Sequence, residues 1–530
     1  MNERTIIANG TVVDGTGAAA FAGDVVVEGD RIADVLPAGS DAGLRRSDAR
    51  VIDAAGCIVS PGFIDSHTHS DAYLVIEPDA PSKVTQGITT EVNGQCGGSV
   101  APRYGEARLS SDWATLLGPR LTWRSLAEYR SVLSAAKPAV NTVQFVGHNT
   151  LRSSVVGYAA RPATAGELRR MEELLAQSMD EGGWGLTTGL IYQPGKYSTP
   201  GEVTRLAKVA AERGGLYATH MRSEGDRILE SIDEVIALAR ETGIRAEISH
   251  LKTSGRANWG KIDAVLERIE GAMSEGLLLG SDRYPYCAAG TDLDVVLPDW
   301  AQEGAAKGEC VRLADPAARA SIASEIDESG RDWSEVMVGG TWSAETKPFS
   351  GRSVKEILEL PGMEGLTPGA LVCRILAADE CRTGAFFFGM SEANLDRILS
   401  KPWIVPGSDA SLRAPWGPLG ADHPHPRAYA TMPEFYRRVR ALGVSREEAV
   451  ARMTSVPARR FGISGRGEIA KGAFADIVVW REEEFRGEAT YAAPHRFSHG
   501  VKCVMVNGET PYQDGRFTGR RSGRFLERSN

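Results

Sequence analysis

The sequence predicts an α/β fold, a parallel (β/α)8 TIM barrel that carries a small β-sandwich built from both ends of the chain. Two features of the sequence predict this fold. Short apolar runs that end in polar residues alternate with helix-like stretches through the middle of the chain. The two ends instead consist of short β-rich runs interrupted by glycine-containing turns. With 530 residues, the chain is too long for one compact core, and we expect two to three structural units.

Eight candidate strands make up the expected barrel. They span residues 62–67, 89–94, 142–148, 184–189, 216–220, 246–250, 277–284 and 403–409. Helix-like stretches lie between them, and the clearest runs from 224 to 243. In that stretch Ile228, Ile232 and Val235 recur at helical spacing, and Gly243 ends the helix. Eight strands with intervening helices indicate a closed parallel barrel.

The same pattern divides the chain into domains. Residues 1–60 and 461–530 are expected to form the two halves of the β-sandwich, and residues 61–460 the barrel. About a hundred residues separate the seventh and eighth strands, which is too many for a simple loop. We therefore expect an inserted lobe over the barrel mouth, at about 300–400.

Composition narrows the class of partner. The net charge is −9, and no basic block is long enough to follow a nucleic-acid backbone. No run is apolar enough for a membrane span, and the N-terminal segment lacks the apolar region of a secretory signal. The seven scattered cysteines, without a CxxC motif, indicate reduced thiols. We expect a cytoplasmic protein that binds neither nucleic acid nor membranes.

The segment GFIDSHTHSD (62–71) is the sharpest chemical signal. Because side chains alternate along a strand, His67 and His69 point to the same side. Two imidazoles at the C-terminal end of a barrel strand can bind one zinc ion. An isolated HxH pair often arises by chance, so its position at the end of the first barrel strand carries the prediction.

Two more histidines close later strands, His220 in YATH and His250 in EISH. One such histidine alone could be a structural residue. The chain, however, has nine histidines, and four of them fall at predicted strand ends. Imidazole is the commonest zinc ligand, so this concentration predicts a metal site at the carboxyl ends of the strands.

Two further residues complete the candidate site. Asp409 ends the eighth strand, where a carboxylate could take a proton from an activated water and return it to a leaving amine. Taken alone, Asp409 would be a helix-capping or loop aspartate. Cys96 follows the second strand among glycines that let the backbone approach a site. Its thiolate could bind zinc, and a buried structural cysteine is the alternative.

Ten segments, spread over nearly the whole chain, carry a resemblance to known enzymes. They are GFIDSHTHSD, TQGITTEVNGQCGGSVAP, GHNTLR, GLTTGLIYQPG, YATHMRSEGD, ISHLKTSG, DRYPY, GSDA, HPR and GRGEIAKGAFADIVV. In these segments the chain resembles the amidohydrolase superfamily and, within it, the D-aminoacylase or N-acyl-D-amino-acid deacylase family. The resemblance implies hydrolysis of the amide bond of an N-acyl-D-amino acid with one or two zinc ions per chain, giving a D-amino acid and a carboxylate.

The resemblance also implies a role for each matching residue. The metal ligands that it implies are His67, His69, Cys96, His220 and His250. Cys96 would take the bridging place that a carboxylated lysine fills in many relatives, and the fourth strand, WGLTTG, offers no lysine. Asp409 would be the catalytic acid and base. The residues that it places on the substrate's α-carboxylate are Lys252, Tyr192 and Tyr284. The position of Lys252, two residues after a ligand histidine, independently suits an anion contact, and an exposed loop lysine is the alternative.

The chain departs from the family pattern between GSDA and HPR, where it inserts SLRAPWGPLGADHP. This segment carries Arg413 and Trp416 at the expected barrel mouth, so the preferred substrate side chain stays open. Arg413, four residues after Asp409, could pair with an acidic side chain and favour N-acyl-D-Glu or N-acyl-D-Asp. A solvated loop arginine is an equally good interpretation.

Two other functions stay open at this point. A cyclic-amide hydrolase of the dihydroorotase or hydantoinase kind shares the HxH pair and the aspartate, but it would favour a lysine on the fourth strand. A non-catalytic barrel kept as a scaffold should have lost several ligands, whereas this chain has all of them. The sequence is compatible with a monomer or an oligomer.

Overall fold

The computed structural model of the protein describes residues 4–37, 49–109 and 111–528. Its strands are, in chain order, β1 (Arg4–Val12), β2 (Phe21–Glu28), β3 (Arg31–Pro37), β4 (Ala49–Asp53), β5 (Ile58–Pro61), β6 (Phe63–Asp65), β7 (Ile88–Asn93), β8 (Asn141–Gln144), β9 (Val146–Gly147), β10 (Gly185–Gly189), β11 (Leu216–His220), β12 (Arg245–Ile248), β13 (Leu279–Arg283), β14 (Ala288–Asp292), β15 (Val336–Val338), β16 (Gly384–Phe388), β17 (Ile404–Pro406), β18 (Ile477–Trp480), β19 (Val501–Val506), β20 (Glu509–Gln513) and β21 (Arg516–Phe517).

The α-helices alternate with the strands through the middle of the chain. They are α1 (Tyr73–Ile76), α2 (Pro81–Val84), α3 (Ser111–Leu117), α4 (Leu126–Ala136), α5 (His148–Val155), α6 (Ala165–Asp180), α7 (Pro200–Glu212), α8 (Ile228–Thr242), α9 (Ile262–Ser274), α10 (Asp299–Gln302), α11 (Ala305–Ala314), α12 (Pro316–Glu328), α13 (Val354–Leu358), α14 (Pro368–Ala378), α15 (Glu392–Leu399), α16 (Arg427–Ala441), α17 (Arg446–Met453) and α18 (Ser455–Phe461). Within the described ranges, no helix combines the length and the hydrophobicity that crossing a bilayer requires.

The parallel strands of the barrel pair in the orders β6–β7–β8 and β9–β10–β11–β12–β13–β17. β8 and β9 belong to one predicted strand, and Phe145 between them donates its N–H to the Asn93 carbonyl of β7 at 3.0 Å. At the other seam, the Ser66 N–H after β6 donates to the Pro406 carbonyl of β17 at 3.2 Å. Every predicted barrel strand overlaps a strand of the structure, and the predicted TIM-type barrel is confirmed.

The two chain ends pair with each other, as predicted, and they build one sheet where a β-sandwich was expected. In the part of the chain that the structure describes, its order is β21–β20–β19–β18–β5–β1–β2–β3, with β4 parallel to β1. The two ends meet where β18 runs antiparallel to β5, with Ile477 opposite Pro61. The expected sandwich is therefore hydrogen-bonded as a continuous sheet, and its core includes Ile7, Val25, Val479 and Met505. Because β5 leads directly into β6, this sheet anchors the first barrel strand.

The chain between β13 and β17 forms a lobe with an apolar core of its own. β14 and β15 both pair antiparallel with β16. The core of the lobe includes Leu313, Ile322, Val338 and Leu371. The lobe begins at Ala288, before the expected boundary at about 300, because β14 supplies an edge of its sheet. The Thr291 hydroxyl of β14 lies 3.3 Å from the Tyr192 hydroxyl, so the lobe borders the barrel mouth.

Helix α8 starts four residues later than the sequence predicts, at Ile228 rather than at 224. The preceding residues form a turn, in which the Ser223 hydroxyl accepts the N–H groups of Gly225 and Arg227 at 3.3 and 3.2 Å. The predicted end is correct, since Gly243 adopts a left-handed φ of 68° and caps the helix. The turn releases Glu224 from the helix and directs its side chain towards the histidines described below.

Candidate active site

The two histidines of the HxH pair meet at the barrel mouth, with ring centroids 5.4 Å apart. Residues 66–69 stay beside β17 and its loop, because Thr68 forms a parallel bridge with Ala410. The His67 ring is fully buried, whereas 29% of the His69 side chain is exposed. Nε2 of His69 lies 3.0 Å from Oδ1 of Asp409, and Nε2 of His67 lies 3.4 Å from the same oxygen.

Cys96 lies between this group and the other two predicted histidines. Its Sγ is 3.3 Å from His67 Nε2, 3.4 Å from His250 Nε2 and 3.8 Å from His220 Nδ1. Potential ligand atoms thus form two clusters that share the thiol, each with all atoms within 4.8 Å of one another. The members are His67, His69, Cys96 and Asp409 in one cluster, and Cys96, His220 and His250 in the other. Imidazole, thiolate and carboxylate are the groups that zinc takes as ligands, so this donor set fits zinc.

Three residues of the site have a left-handed backbone. The φ angles are 51° at Cys96, 39° at His250 and 49° at Asp409. His250 and Asp409 follow the ends of β12 and β17 by two and three residues. Such a conformation costs about 1–3 kcal/mol at a non-glycine residue. The left-handed conformation persists here because the Cys96, His250 and Asp409 side chains are held by contacts with the other residues of the site.

Close approach of the backbone explains a glycine of β10. A Cβ atom on Gly189 would lie 2.1 Å from the Cys96 carbonyl oxygen. Only glycine therefore lets the Cys96 loop rest against the end of this strand. The loop in turn places the Cys96 thiol at the centre of the histidines.

Opposite charges set the ionisation of the site. Burial alone would lower the pKa of His69, but the hydrogen bond to Asp409 and the Cys96 thiol raise it to about 9. Burial alone would raise the pKa of Cys96, but His67 and His250 lower it well below its usual range. Burial likewise opposes ionisation of Asp409, and Arg427 and His250 lower its pKa well below the usual value. Both shifts favour the ionised forms, a thiolate and a carboxylate, which suit a bound cation.

Two carboxylates that the sequence analysis missed orient the histidines. Asp282 Oδ2 lies 3.1 Å from His67 Nδ1, and its Oδ1 accepts the His250 N–H at 3.0 Å. Glu224 Oε1 lies 2.9 Å from His250 Nδ1, and its Oε2 lies 3.5 Å from His220 Nε2. These contacts to His67 Nδ1 and His250 Nδ1 orient both rings so that their Nε2 atoms face Cys96. Both acids lie in the quoted segments DRYPY and YATHMRSEGD, next to predicted strand ends, and that position was the available signal.

The predicted carboxylate-binding residues border the same site. Lys252 is buried, and its Nζ lies 2.8 Å from His250 Nδ1 and forms an ion pair with Glu224. The Tyr192 ring lies 5.0 Å from the His220 ring. Tyr284 is fully buried, and among the described residues its hydroxyl has no hydrogen-bond partner.

The arginine beside Asp409 is Arg427, the last residue of the HPR segment. Its Nη1 donates to Asp409 Oδ2 at 2.7 Å, and its Nη2 donates to the Gly290 carbonyl of the lobe at 3.1 Å. The guanidinium lies 4.6 Å from the centre of the Tyr284 ring. The sequence analysis assigned no role to Arg427, because nothing local shows that a residue at the start of α16 reaches the strand ends.

Arg413 lies in the segment between β17 and α16, away from Asp409 and Arg427. Its Nε is 2.8 Å from Asp422 Oδ2, and its guanidinium lies 4.6 Å from the centre of the Tyr73 ring. Its backbone N–H donates to the Ser82 hydroxyl at 2.9 Å. These contacts favour the second interpretation, in which Arg413 is a loop arginine rather than a contact for the substrate side chain.

Replacing Arg413 with alanine is therefore expected to lower kcat/KM equally for N-acetyl-D-Glu and N-acetyl-D-Leu. The physical reason is that Asp422 already neutralises the guanidinium. Steady-state kinetics of the wild type and the variant on both substrates provide the measurement. A loss on N-acetyl-D-Glu that exceeds the loss on N-acetyl-D-Leu by about tenfold or more, the scale of a charged contact, would restore the substrate-binding role.

Imidazoles, a thiol and a carboxylate that converge at the carboxyl ends of a parallel barrel define a metal-dependent barrel enzyme. The profile of the amidohydrolase family matches residues 50–512 of this chain. The chain belongs to this amidohydrolase family.

Individual relatives match over the whole chain. N-acyl-D-glutamate deacylase of Alcaligenes xylosoxydans xylosoxydans is 34% identical and aligns with 99% of this chain and 96% of its own length. D-aminoacylase of the same organism is also 34% identical, over 99% of this chain and 97% of its own length. The crystal structure of N-acyl-D-glutamate deacylase from Bordetella bronchiseptica, in complex with zinc and a phosphonate inhibitor, superposes with a TM-score of 0.82 at 31% identity, covering 99% of this chain and 100% of that one. The predicted resemblance to the D-aminoacylase family is confirmed.

Proposed function

We propose that the protein is a zinc-dependent deacylase that hydrolyses the amide bond of N-acyl-D-amino acids, giving a D-amino acid and a carboxylate. One observation carries this proposal. Cys96 Sγ lies within 3.3–3.8 Å of three histidine nitrogens, beside an aspartate that contacts the HxH pair. The relatives named above are deacylases of N-acyl-D-amino acids and share this fold over nearly the full chain.

Five residues would hold one or two zinc ions. They are His67, His69, Cys96, His220 and His250. Zinc bound there would polarise the scissile carbonyl and make water a better nucleophile at neutral pH. Asp282 and Glu224 would orient the His67 and His250 rings so that their Nε2 atoms point at the metal.

Asp409 would carry the proton. Its Oδ1 faces His67 and His69, while Oδ2 is paired with Arg427. The ion pair keeps the carboxylate ionised, and therefore able to accept a proton from the attacking water. The same proton then passes to the amide nitrogen, the C–N bond breaks, and the amine leaves.

Lys252, Tyr192 and Tyr284 would hold the α-carboxylate of the substrate. The buried Tyr284 hydroxyl supports this role, because a buried hydroxyl without a partner costs free energy until a ligand satisfies it. With the carboxylate and the scissile carbonyl both held, the two enantiomers differ in the direction of the side chain. One enantiomer then clashes or leaves polar groups unpaired, which produces discrimination.

A cyclic-amide hydrolase fits the site less well. β10 contains no lysine, and the point between the two ligand clusters is occupied by the Cys96 thiol. A non-catalytic scaffold does not explain why every ligand and the Asp409–Arg427 pair are present. Hydrolysis of a linear amide is therefore the function that the geometry supports best.

The proposed function predicts the handedness of the product. Incubation of racemic N-acetyl amino acids with the zinc-loaded enzyme is expected to release predominantly the D-amino acid. Chiral chromatography of the released amino acid measures this, with the Asp409→Asn variant as a matched blank. Predominant release of the L-amino acid would reject the proposal.

We also propose that the enzyme works in the cytoplasm, because all seven of its cysteines are free thiols. Activity assays on fractionated cells test the location. Light scattering on the purified protein determines whether it forms an oligomer.

A further inference from the structure

A buried group of charges lies beside the metal ligands. Lys83, on the short helix α2, is fully buried. Its Nζ lies 3.0 Å from Asp65 Oδ2 and 3.0 Å from Glu91 Oε1, and both carboxylates are also fully buried. Burial opposes the charge of Lys83, but Asp65 and Glu91 raise its pKa, so the ammonium persists. A charge buried this deeply is rare unless it is paired.

The backbone that this group holds is the loop after β17. Lys83 Nζ donates to the Ser408 hydroxyl and to the Ala410 carbonyl, each at 3.2 Å. Asp65 accepts the Ser408 N–H at 2.8 Å and the Ser408 hydroxyl at 2.6 Å. The backbone N–H and the hydroxyl of Ser408 are therefore both hydrogen-bonded to charged side chains.

A second arm of the group reaches further along the same loop. The Ser70 hydroxyl donates to Glu91 Oε1 at 2.6 Å and accepts the Leu412 N–H at 3.0 Å. Residues 408, 410 and 412 are thus all tied, directly or through Ser70, to the Lys83 group. Every second residue of the loop from 408 to 412 is therefore hydrogen-bonded towards Lys83, Asp65 and Glu91.

Asp409 lies between two of these tied residues. Its φ of 49° is unfavourable for a non-glycine residue, so the orientation of its side chain depends on what holds its neighbours. The Ala410 carbonyl also accepts the His69 N–H, at 3.3 Å. Lys83 therefore contacts the same peptide group that joins the Asp409 loop to the HxH segment.

We propose that Lys83 is a positioning residue that holds the Asp409 carboxylate in its working orientation, through Ser408 and Ala410 on either side of it. This inference rests on the proposed function, in which Asp409 carries the proton. Lys83 contacts Asp65, Glu91, Ser408 and Ala410 rather than the ligand atoms, and it would act on Asp409 through the loop. Misplacement of a reacting group by about 1 Å can cost about 10²-fold in rate.

The test is a double-mutant cycle on the zinc-loaded enzyme. It compares the wild type with Lys83→Met, Asp409→Asn and the double variant, each assayed for kcat and KM. We expect Lys83→Met to lower kcat about 10²-fold while KM and zinc content stay close to the wild-type values. In the Asp409→Asn background, the same change is expected to lower kcat no further, because the group that Lys83 positions is already gone.

A control separates positioning from general stability. Arg466 forms a buried ion pair with Asp476, which directly precedes β18 of the sheet built from the two chain ends, and the two side chains are 2% and 3% exposed. Arg466→Met is expected to lower Tm and to leave kcat per zinc-loaded molecule unchanged.

If Lys83→Met does not fold, Ser408→Ala removes the hydroxyl between Lys83 and Asp65 and keeps the ion pairs. In the same cycle it is expected to cost about tenfold in kcat, on the scale of one hydrogen bond.

The outcomes are distinct. A loss from Lys83→Met that is equally large with aspartate or asparagine at 409 would overturn the positioning role and leave the proposed role of Asp409 intact. A wild-type kcat for Lys83→Met would do the same. A wild-type kcat for Asp409→Asn would instead overturn the proton-carrying role, and the inference about Lys83 with it.

Discussion

Removal of zinc is expected to abolish hydrolysis of N-acyl-D-amino acids, and restoring zinc is expected to recover it. The reason is that a divalent cation held by the ligands of this site would polarise the amide carbonyl and activate the attacking water. The ligand atoms of each cluster lie within 4.8 Å of one another, and both clusters share the Cys96 sulfur, so the site can bind a cation without rearrangement of the chain. The measurement pairs elemental analysis of the chelated protein with its rate of amide hydrolysis.

A matched pair of histidine variants locates the metal. His220→Ala is expected to lose zinc and activity together, because His220 Nδ1 faces the Cys96 thiol. His499→Ala is the control, since this side chain is 58% exposed and contacts only Glu488 among the described charged groups. It should keep both zinc and rate. Full activity in a chelated protein that contains no metal would refute the requirement.

Replacing Asp409 with asparagine is expected to lower kcat by about 10²–10⁴-fold, the usual contribution of a general acid and base. Asparagine has nearly the same shape but cannot accept the proton of the attacking water. The cluster of Cys96, His220 and His250 does not include Asp409, so the variant should keep its fold and most of its zinc. Single-turnover rates and zinc analysis of the purified variant provide the measurement.

Asp422→Asn is the control for this experiment. Asp422 lies in the same loop, 29% exposed, and pairs with Arg413 at 2.8 Å rather than with the ligand histidines. Its replacement should change kcat by less than about threefold, as expected for a partly exposed ion pair. If Asp409→Asn lost less than about tenfold in kcat, another group would have to carry the proton.

Most of the ligand set was predictable because each member marks the end of a strand. The alternation of side chains along a strand places His67 and His69 together, and barrel geometry brings the ends of β11, β12 and β17 to one rim. The role of Cys96 came from the family resemblance, since a lone cysteine near glycines has no distinctive local pattern. The end of α8 at Gly243 was correct, but its start was not, because a serine-bonded turn replaces the first helical turn.

Sequence alone determined the barrel, the joining of the two chain ends and the positions where chemistry gathers. These features depend on the periodicity of apolar residues and on the residues at strand ends, and both can be recognised in short stretches of sequence. Only the tertiary structure decided which charges meet. Asp282 pairs with His67 across 215 residues of chain, and Lys83 reaches Ser408 across 325. It also decided that Arg427 pairs with Asp409 and that Arg413 pairs with Asp422. Pairing of buried charges depends on barrel closure and on exclusion of water, which no local pattern of residues records.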